Sequence, residues 1–430
     1  MNAISTAGVA GFLARYEGLR ARLPGDPAIR AAAAELFRAN GIPGGVSGRR
    51  AEAGKYTSLR GVAEASFQAP LTQLDGSQPL LSQSLMSQLA KIEGPRLVFV
   101  DGRFRADLSV LPVNVTVESF ADAPDFGTLS RPDRDNLVAL NTMLAEDGAV
   151  IAVPDGVDGG ILQIITLATE GNGRAIAFHP RHAIRLGRGA CLRVLEISAG
   201  AGIYLHNAAT EIHVGEDAHL THVRLQDEAL GSFHVSTIYA EIAARGTYDG
   251  FVLNLGALVA RAEIHARLAG AGAALHLNGA QLLSGSQHSD MTTVVRHDAP
   301  GCASRQTVKN VLAGRSRGVF QGKIEVARIA QKTDGYQMNQ ALLLSREAEI
   351  DCKPELEIFA DDVKCSHGAT VGELDRRQIF YLRSRGVPEA EARAILVRAF
   401  LTEALDTVAD ESFRAVLENS VAQWWEREAA

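Results

Sequence analysis

The sequence predicts a mainly β protein, a parallel β-helix core held between two helical regions. Three observations carry this. Short β-prone runs follow one another between residues 150 and 371, among them 183–186, 190–197, 210–214, 219–225, 235–242, 247–255, 262–268 and 274–277. Turn groups such as Gly215-Glu216-Asp217, Ala244-Arg245-Gly246, Gly270-Ala271-Gly272 and Ala299-Pro300-Gly301 recur between them, most gaps being roughly 26–32 residues, one coil of a solenoid. No helix of length separates the strands, which argues against a doubly wound sheet. A β-sandwich is the competing architecture. Strands stacked coil on coil bury an inner face and leave polar outer faces.

The elements follow in order. Residues 1–95 read as a helical region. Val9, Phe12, Leu13, Tyr16 and Leu19 recur at helical spacing. Pro24-Gly25-Asp26-Pro27 breaks that helix, and Asp26 then caps a second one with Pro27 at its first position. Gly41 or Gly44 ends it. Residues 44–68 are rich in Gly, Ser and Arg and read as loop, and 81–92 as a further helix. The core, 96–372, opens with Leu97-Val98-Phe99-Val100-Asp101-Gly102-Arg103-Phe104, a hairpin whose Asp-Gly pair accepts the positive φ angles of a tight turn. Residues 133–147 interrupt as a helix stopped by Gly148. The region 373–430 is helical again: 378–383, then a stripe of Ala392, Ile395, Leu396, Ala399, Phe400 and Leu405, then a helix capped by Asp410 that turns Phe413, Leu417, Val421 and Trp424 inward.

Bulk composition narrows the function. Of 430 residues 46% are hydrophobic and 22% charged, ordinary for a globular chain with a large core. The net charge of −7 and an aromatic content of 6% argue against a nucleic-acid surface, which needs basic excess and stacking rings. Cys191, Cys302, Cys352 and Cys365 stand far apart with no CxxC, as expected in a reducing, cytoplasmic setting. No signal peptide is recognisable, and no apolar run is long enough for a bilayer. The segment 318–323 (GVFQGK) lacks the glycine spacing of a phosphate loop and has Ile324 in place of Ser/Thr, so no ATP site is expected in this chain. His206, His213, His219, His222 and His234 are assigned structural or surface roles, with His219 and His222 on opposite strand faces. Asp290 and His297 share one run as a nominal acid–base pair.

The richest chemistry lies in 351–372 (DCKPELEIFADDVKCSHGATVG). Strand alternation puts Val363, Cys365, His367 and Ala369 on one face. A thiol and an imidazole two positions apart suit iron or a cluster, although two donors do not close a site. The same residues also suit plain structure, a buried thiol and a hydrogen-bonded imidazole.

An ordered set of motifs carries a family resemblance. It begins with His288-Ser289-Asp290-Met291-Thr292-Thr293-Val294-Val295-Arg296-His297. It continues through Ser304-Arg305-Gln306, Lys309, Gly318-Val319-Phe320-Gln321-Gly322-Lys323-Ile324, Ala330-Gln331-Lys332-Thr333-Asp334 and Lys353-Pro354-Glu355-Leu356-Glu357-Ile358, and ends in Cys365-Ser366-His367-Gly368-Ala369-Thr370. The chain resembles the SufB/SufD family of iron–sulfur cluster assembly scaffolds, on the SufD side, because it reads Ser-His-Gly-Ala-Thr where SufB-like chains read Glu-His-Glu-Ala-Thr. Lys55-Tyr56-Thr57 is similar to the family's Trp-Lys-Tyr-Thr, with Gly54 in place of Trp. The resemblance implies a right-handed parallel β-helix and a non-enzymatic role. It implies a SufB-like paralogue as partner and a SufC-like ABC ATPase docked on the C-terminal helices near 386–405. His367 becomes the expected ligand of a nascent iron–sulfur cluster shared with that paralogue, with Cys365 a weaker candidate. Cys352 stands where the family has Thr and is an additional candidate ligand or a buried replacement of similar size. A homodimer through the last coils is one option for the isolated chain, whose oligomeric state is left open, as is flavin binding. The alternative reading is a β-helix enzyme acting on polysaccharide, which needs a groove of carboxylates on one outer face.

Overall fold

The computed structural model describes residues 7–43, 54–70 and 81–429. Two sheets face each other across a lumen and are joined, coil by coil, into a parallel β-solenoid of eight coils. One sheet stacks Asp158–Ala168, Cys191–Gly200, His219–Asp227, Thr247–Asn254, Ala274–Leu283, Ala303–Leu312, Asp334–Leu343 and Lys364–Glu373. The other stacks Ala149–Val153, Arg181–Leu186, Tyr204–Val214, Phe233–Ile242, Val259–Leu268, His288–His297, Arg317–Val326 and Glu349–Ile358. The chain alternates between them, so each strand hydrogen-bonds to the strand one full coil away. The β-sandwich alternative is thereby replaced by the parallel solenoid.

The N-terminal end is closed by antiparallel pairing. Arg96–Val100 turns back on Arg103–Phe104 through Asp101 (φ 49°) and Gly102 (φ 79°), the conformation expected of that dipeptide. The sheet opposite is closed by Thr116–Ser119, antiparallel to Ala149–Val153.

Three apolar layers hold the molecule together. The lumen is filled from both sheets by residues such as Phe99, Ile164, Val194, Ile212, Leu220, Ile264, Leu277 and Phe320. The outer face of one sheet is covered by the helices Ala7–Leu19, Pro27–Asn40 and Asn136–Leu144, through Phe12, Phe37, Leu140 and Met143 against Leu205, Phe233 and Val235. The outer face of the other is covered by Glu389–Leu405 and Glu411–Ala429, through Val397, Leu401, Phe413 and Trp424 against Ile197, Leu225, Leu253 and Val311. Polar outer faces are therefore the exception over much of the solenoid, unlike the sequence expectation. Strands buried on both sides read as continuous apolar runs, which periodicity does not resolve into faces. Each fully buried large side chain contributes about 1.5–3 kcal/mol.

Local signals act where the sequence placed them. Asp26 accepts from the Ala28 N–H at 2.8 Å, and Gly41 ends that helix at φ 63°. Asp410 accepts from the Phe413 N–H at 3.2 Å. Arg30, buried, donates to the Thr142, Met143 and Ala145 carbonyls and so completes the C-terminus of Asn136–Leu144. The stretch read as loop differs: Arg60–Glu64 is a short helix that buries Val62 and Ala63 over the Gly8 backbone. Residues 44–53, including the Gly44 considered as a stop, lie outside the described residues. Just after them, Thr57 donates to Asp290 and contacts His288 Nε2 at 2.9 Å, so Lys55-Tyr56-Thr57 docks on the strand His288–His297.

Several imidazoles are folded into this frame. Burial lowers the pKa of His179 and His234 and brings His182 and His297 to about 4, so these rings are neutral when folded. An unfolded chain protonates the same rings near their ordinary value of 6.5 and so binds more protons. Stability should therefore fall as pH drops from about 6.5 towards about 4. Denaturant midpoints measured at about pH 7.5 and pH 5 check this, and equal midpoints would contradict it.

Candidate functional site

The last coil differs from every other. Among the described residues, Glu349–Ile358 pairs only with Arg317–Val326, and Lys364–Glu373 only with Asp334–Leu343. Neither strand contains a buried residue. The far edge of each therefore offers backbone N–H and C=O groups without a strand partner, and the end of the lumen is uncovered.

Register decides which side chains look into that end. Gly335 pairs with Cys365, Gln337 with His367 and Asn339 with Ala369. Gln337 and Asn339 are fully buried, so Cys365, His367 and Ala369 continue the lumen face. On the facing strand Phe320 pairs with Cys352 and Ile324 with Leu356, which places Cys352 on the lumen side too. The alternation read from the sequence thus corresponds to inward and outward. Outward residues are charged and tied between coils: Arg317 with Asp351, and Lys323 with Glu357 at 3.0 Å.

Each predicted residue has a distinct surrounding. His367 is exposed. Cys365 is half-buried against the cluster of Ile324, Val326, Ala330 and Ala360, and a Cβ on Gly335 would stand 3.3 Å from its sulfur. Cys352 is half-buried at the end of the main core, beside the Asn339 side chain. Burial pushes both thiols above the ordinary value; Asn339 opposes this at Cys352, and the Gly335 backbone opposes it at Cys365. All three lie on the lumen face of the last coil, Cys352 and Cys365 against different apolar clusters, and they do not close a ligand set. Among the described residues, three His, Cys, Asp or Glu donors converge within 4.8 Å at two places, and neither includes these residues.

The other sequence candidates separate. GVFQGK lies inside the strand Arg317–Val326, where Gly322 faces Gln337, and does not form a loop before a helix. Asp290 turns outward to Arg261 at 3.0 Å, while His297 turns inward to Ser304 at 2.9 Å, so they form no acid–base pair. His219 and His222 do point to opposite faces: His219 is half-exposed beside Asp249, and His222 is buried against Glu196. Asn339 and Gln337, which support the opening from below, went unrecognised as site residues. The coil offset that stacks Gln337 under His367 was the signal for them.

Exposed apolar side chains gather near this end. Phe359 (65% exposed) and Val371 (56%) flank the open coil, and Phe380 (74%), Tyr381 and Ile395 lie on the helices that follow. The helix Arg376–Ser384 buries no residue at all. Its neighbour Glu389–Leu405 is pinned to the solenoid by Lys309, which is buried, ion-pairs Glu403 and sits 4.7 Å from the Phe400 ring centroid.

The four thiols grade in accessibility from exposed Cys191 through Cys352 and Cys365 to buried Cys302. Alkylation of the native chain followed by peptide mass spectrometry should label Cys191 first, Cys352 and Cys365 more slowly, and Cys302 only on unfolding. Early labelling of Cys302 would contradict this packing.

Comparison with known proteins gives these features a family. Residues 167–400 match the family model described as "SUF system FeS cluster assembly, SufBD core domain", and 27–163 match "SufBD protein N-terminal region". The chain is 34% identical to the iron-sulfur cluster assembly protein SufD of Escherichia coli, over 86% of this chain and 87% of that protein. It is 30% identical to an iron-sulfur cluster assembly SufBD family protein of Synechocystis, over 76% of this chain and 77% of that one. It is 28% identical to the chloroplastic protein ABCI7 of Arabidopsis thaliana, over 87% of this chain and 81% of that one. With a parallel solenoid, an open last coil and this coverage together, the chain belongs to the SufBD family of iron–sulfur cluster assembly proteins.

Proposed function

We propose that this chain is a non-catalytic, SufD-like scaffold that lends the His367 imidazole to a nascent iron–sulfur cluster at a joint with a SufB-like paralogue. The observation that carries the reading is His367, exposed on the lumen face of an edge strand that lacks a partner on its far side. An imidazole can bind iron at neutral pH without first losing a proton, whereas a thiol must lose one. Burial holds the Cys365 and Cys352 thiols protonated, so they rank behind His367 as ligands. The partner supplies the donors that this coil lacks, and in doing so completes the open edges by strand addition. In isolation the same edges serve a homodimer. All four cysteines are free, in keeping with a reducing, cytoplasmic setting, and no described helix is long and apolar enough to cross a membrane.

A SufC-like ABC ATPase docks on the C-terminal helices. Phe380 and Tyr381 offer it an unburied aromatic pair, and the Lys309–Glu403 contact links those helices to the strand stack. ATP-driven movement of the helices then opens or closes the joint that holds the cluster. Family membership and the relative's name favour assembly over the polysaccharide enzyme, which needs an outer catalytic groove.

In a complex reconstituted with the paralogue and the ATPase, His367→Ala should lower anaerobic cluster loading by roughly tenfold while all subunits co-elute. Undiminished loading in an intact complex removes the ligand role. Phe380→Ser with Tyr381→Ser should weaken ATPase capture by about tenfold or more and leave the fold unchanged, since both rings are exposed. Unchanged capture moves the docking site elsewhere.

A further inference from the structure

Far from the open end, the lumen contains a second group of donors. His206 and His234 occupy the same register position on neighbouring strands, Tyr204–Val214 and Phe233–Ile242. Glu228 reaches them from the corner that follows His219–Asp227, in the opposite sheet. Their side chains are at most 3% exposed, and one donor atom from each lies within 4.8 Å of the others. The Glu228 carboxylate divides itself: Oε1 is 3.1 Å from His206 Nδ1, and Oε2 is 2.6 Å from His234 Nδ1. The second approach lacks the alignment of a hydrogen bond, so His234 Nδ1 is close to an oxygen without being bonded to it. The ring planes stand at 88°, so the imidazoles approach the carboxylate from different directions instead of stacking.

The polar atoms around this carboxylate are incompletely satisfied. In the same chamber Glu196 lies 3.3 Å from Arg224 and 2.9 Å from His222. A buried polar atom is costly without a partner, and both His206 Nε2 and His234 Nδ1 are buried without a hydrogen bond. A cavity of about 10 Å³ borders His234, Gln226 and Arg224, the room that one water molecule needs.

We propose that His206, Glu228 and His234 bind one divalent transition-metal cation of the zinc or ferrous class inside the lumen, with water completing its coordination. Two imidazoles and one carboxylate suit such ions, whereas magnesium and calcium take oxygen ligands and cuprous copper takes sulfur. Bonds of 2.0–2.1 Å to a tetrahedral ion place donors about 3.4 Å apart, so small side-chain shifts bring the three together. The ion then ties two consecutive coils to the opposite sheet. Because the site is enclosed, it is filled during folding. It is separate from His367 and does not depend on the scaffold reading.

The test uses the full chain, unfolded with chelator and refolded with or without cobalt(II) as the probe. One cobalt should remain per chain after gel filtration. Visible ligand-field bands should appear without a near-ultraviolet thiolate charge-transfer band, and the thermal midpoint should rise above that of the metal-free chain. Glu228→Gln and His234→Gln should lose the cobalt, while His367→Ala and Cys365→Ser retain it. Uptake below a tenth of an equivalent, a thiolate band, or full retention by a folded Glu228→Gln chain overturns the site. Should neither lumen variant fold, the wild-type stoichiometry and spectrum decide alone.

Discussion

Backbone pairing at the end of the solenoid is the constraint on which the rest turns. Every inner rung satisfies its N–H and C=O groups on both sides, one coil before and one coil after. Among the described residues, the rung Lys364–Glu373 has a strand neighbour on one side only. At the opposite end the chain solves the same problem itself, with Arg103–Phe104 and Thr116–Ser119 running antiparallel to the first strands. At the His367 end the two last strands bury nothing, and the packed lumen stops there. An edge of this length with an apolar rim is a site for adding strands. The scaffold role proposed above rests on this open coil.

Much of the fold was legible because it is written locally. Asp101-Gly102 specifies a turn, Asp26 and Asp410 specify helix starts, and turn groups at coil spacing specify a solenoid. The placement of Cys365 and His367 on a common face needed only the two-residue period of a strand. What stayed hidden depends on the third dimension. Leu225 and Val311 read as strand residues like any other, and nothing local says that helices some hundred residues later cover them. Residues 60–64 form a helix because Val62 and Ala63 dock against Ala7–Leu19, a tertiary gain that outweighs weak local preference.

The histidines illustrate both limits. Asp290 and His297 look like partners in sequence and face opposite sides of one strand. His206 and His234 look unrelated, yet one coil places them side by side, and Glu228 joins them from a corner that carries no motif. Offset by one coil, the sequence would have shown the histidines; only the folded corner shows the carboxylate.

The buried Lys309 has a mechanical consequence. Its strand is two rungs from the one that carries His367, through Asp334–Leu343. Both intervening ladders are ten residue pairs long, far stiffer against stretching than a loop. Glu403 and Phe400 are therefore joined to the lip that carries Cys365 and His367 through two rungs of paired backbone, the path along which the proposed ATPase docking would act.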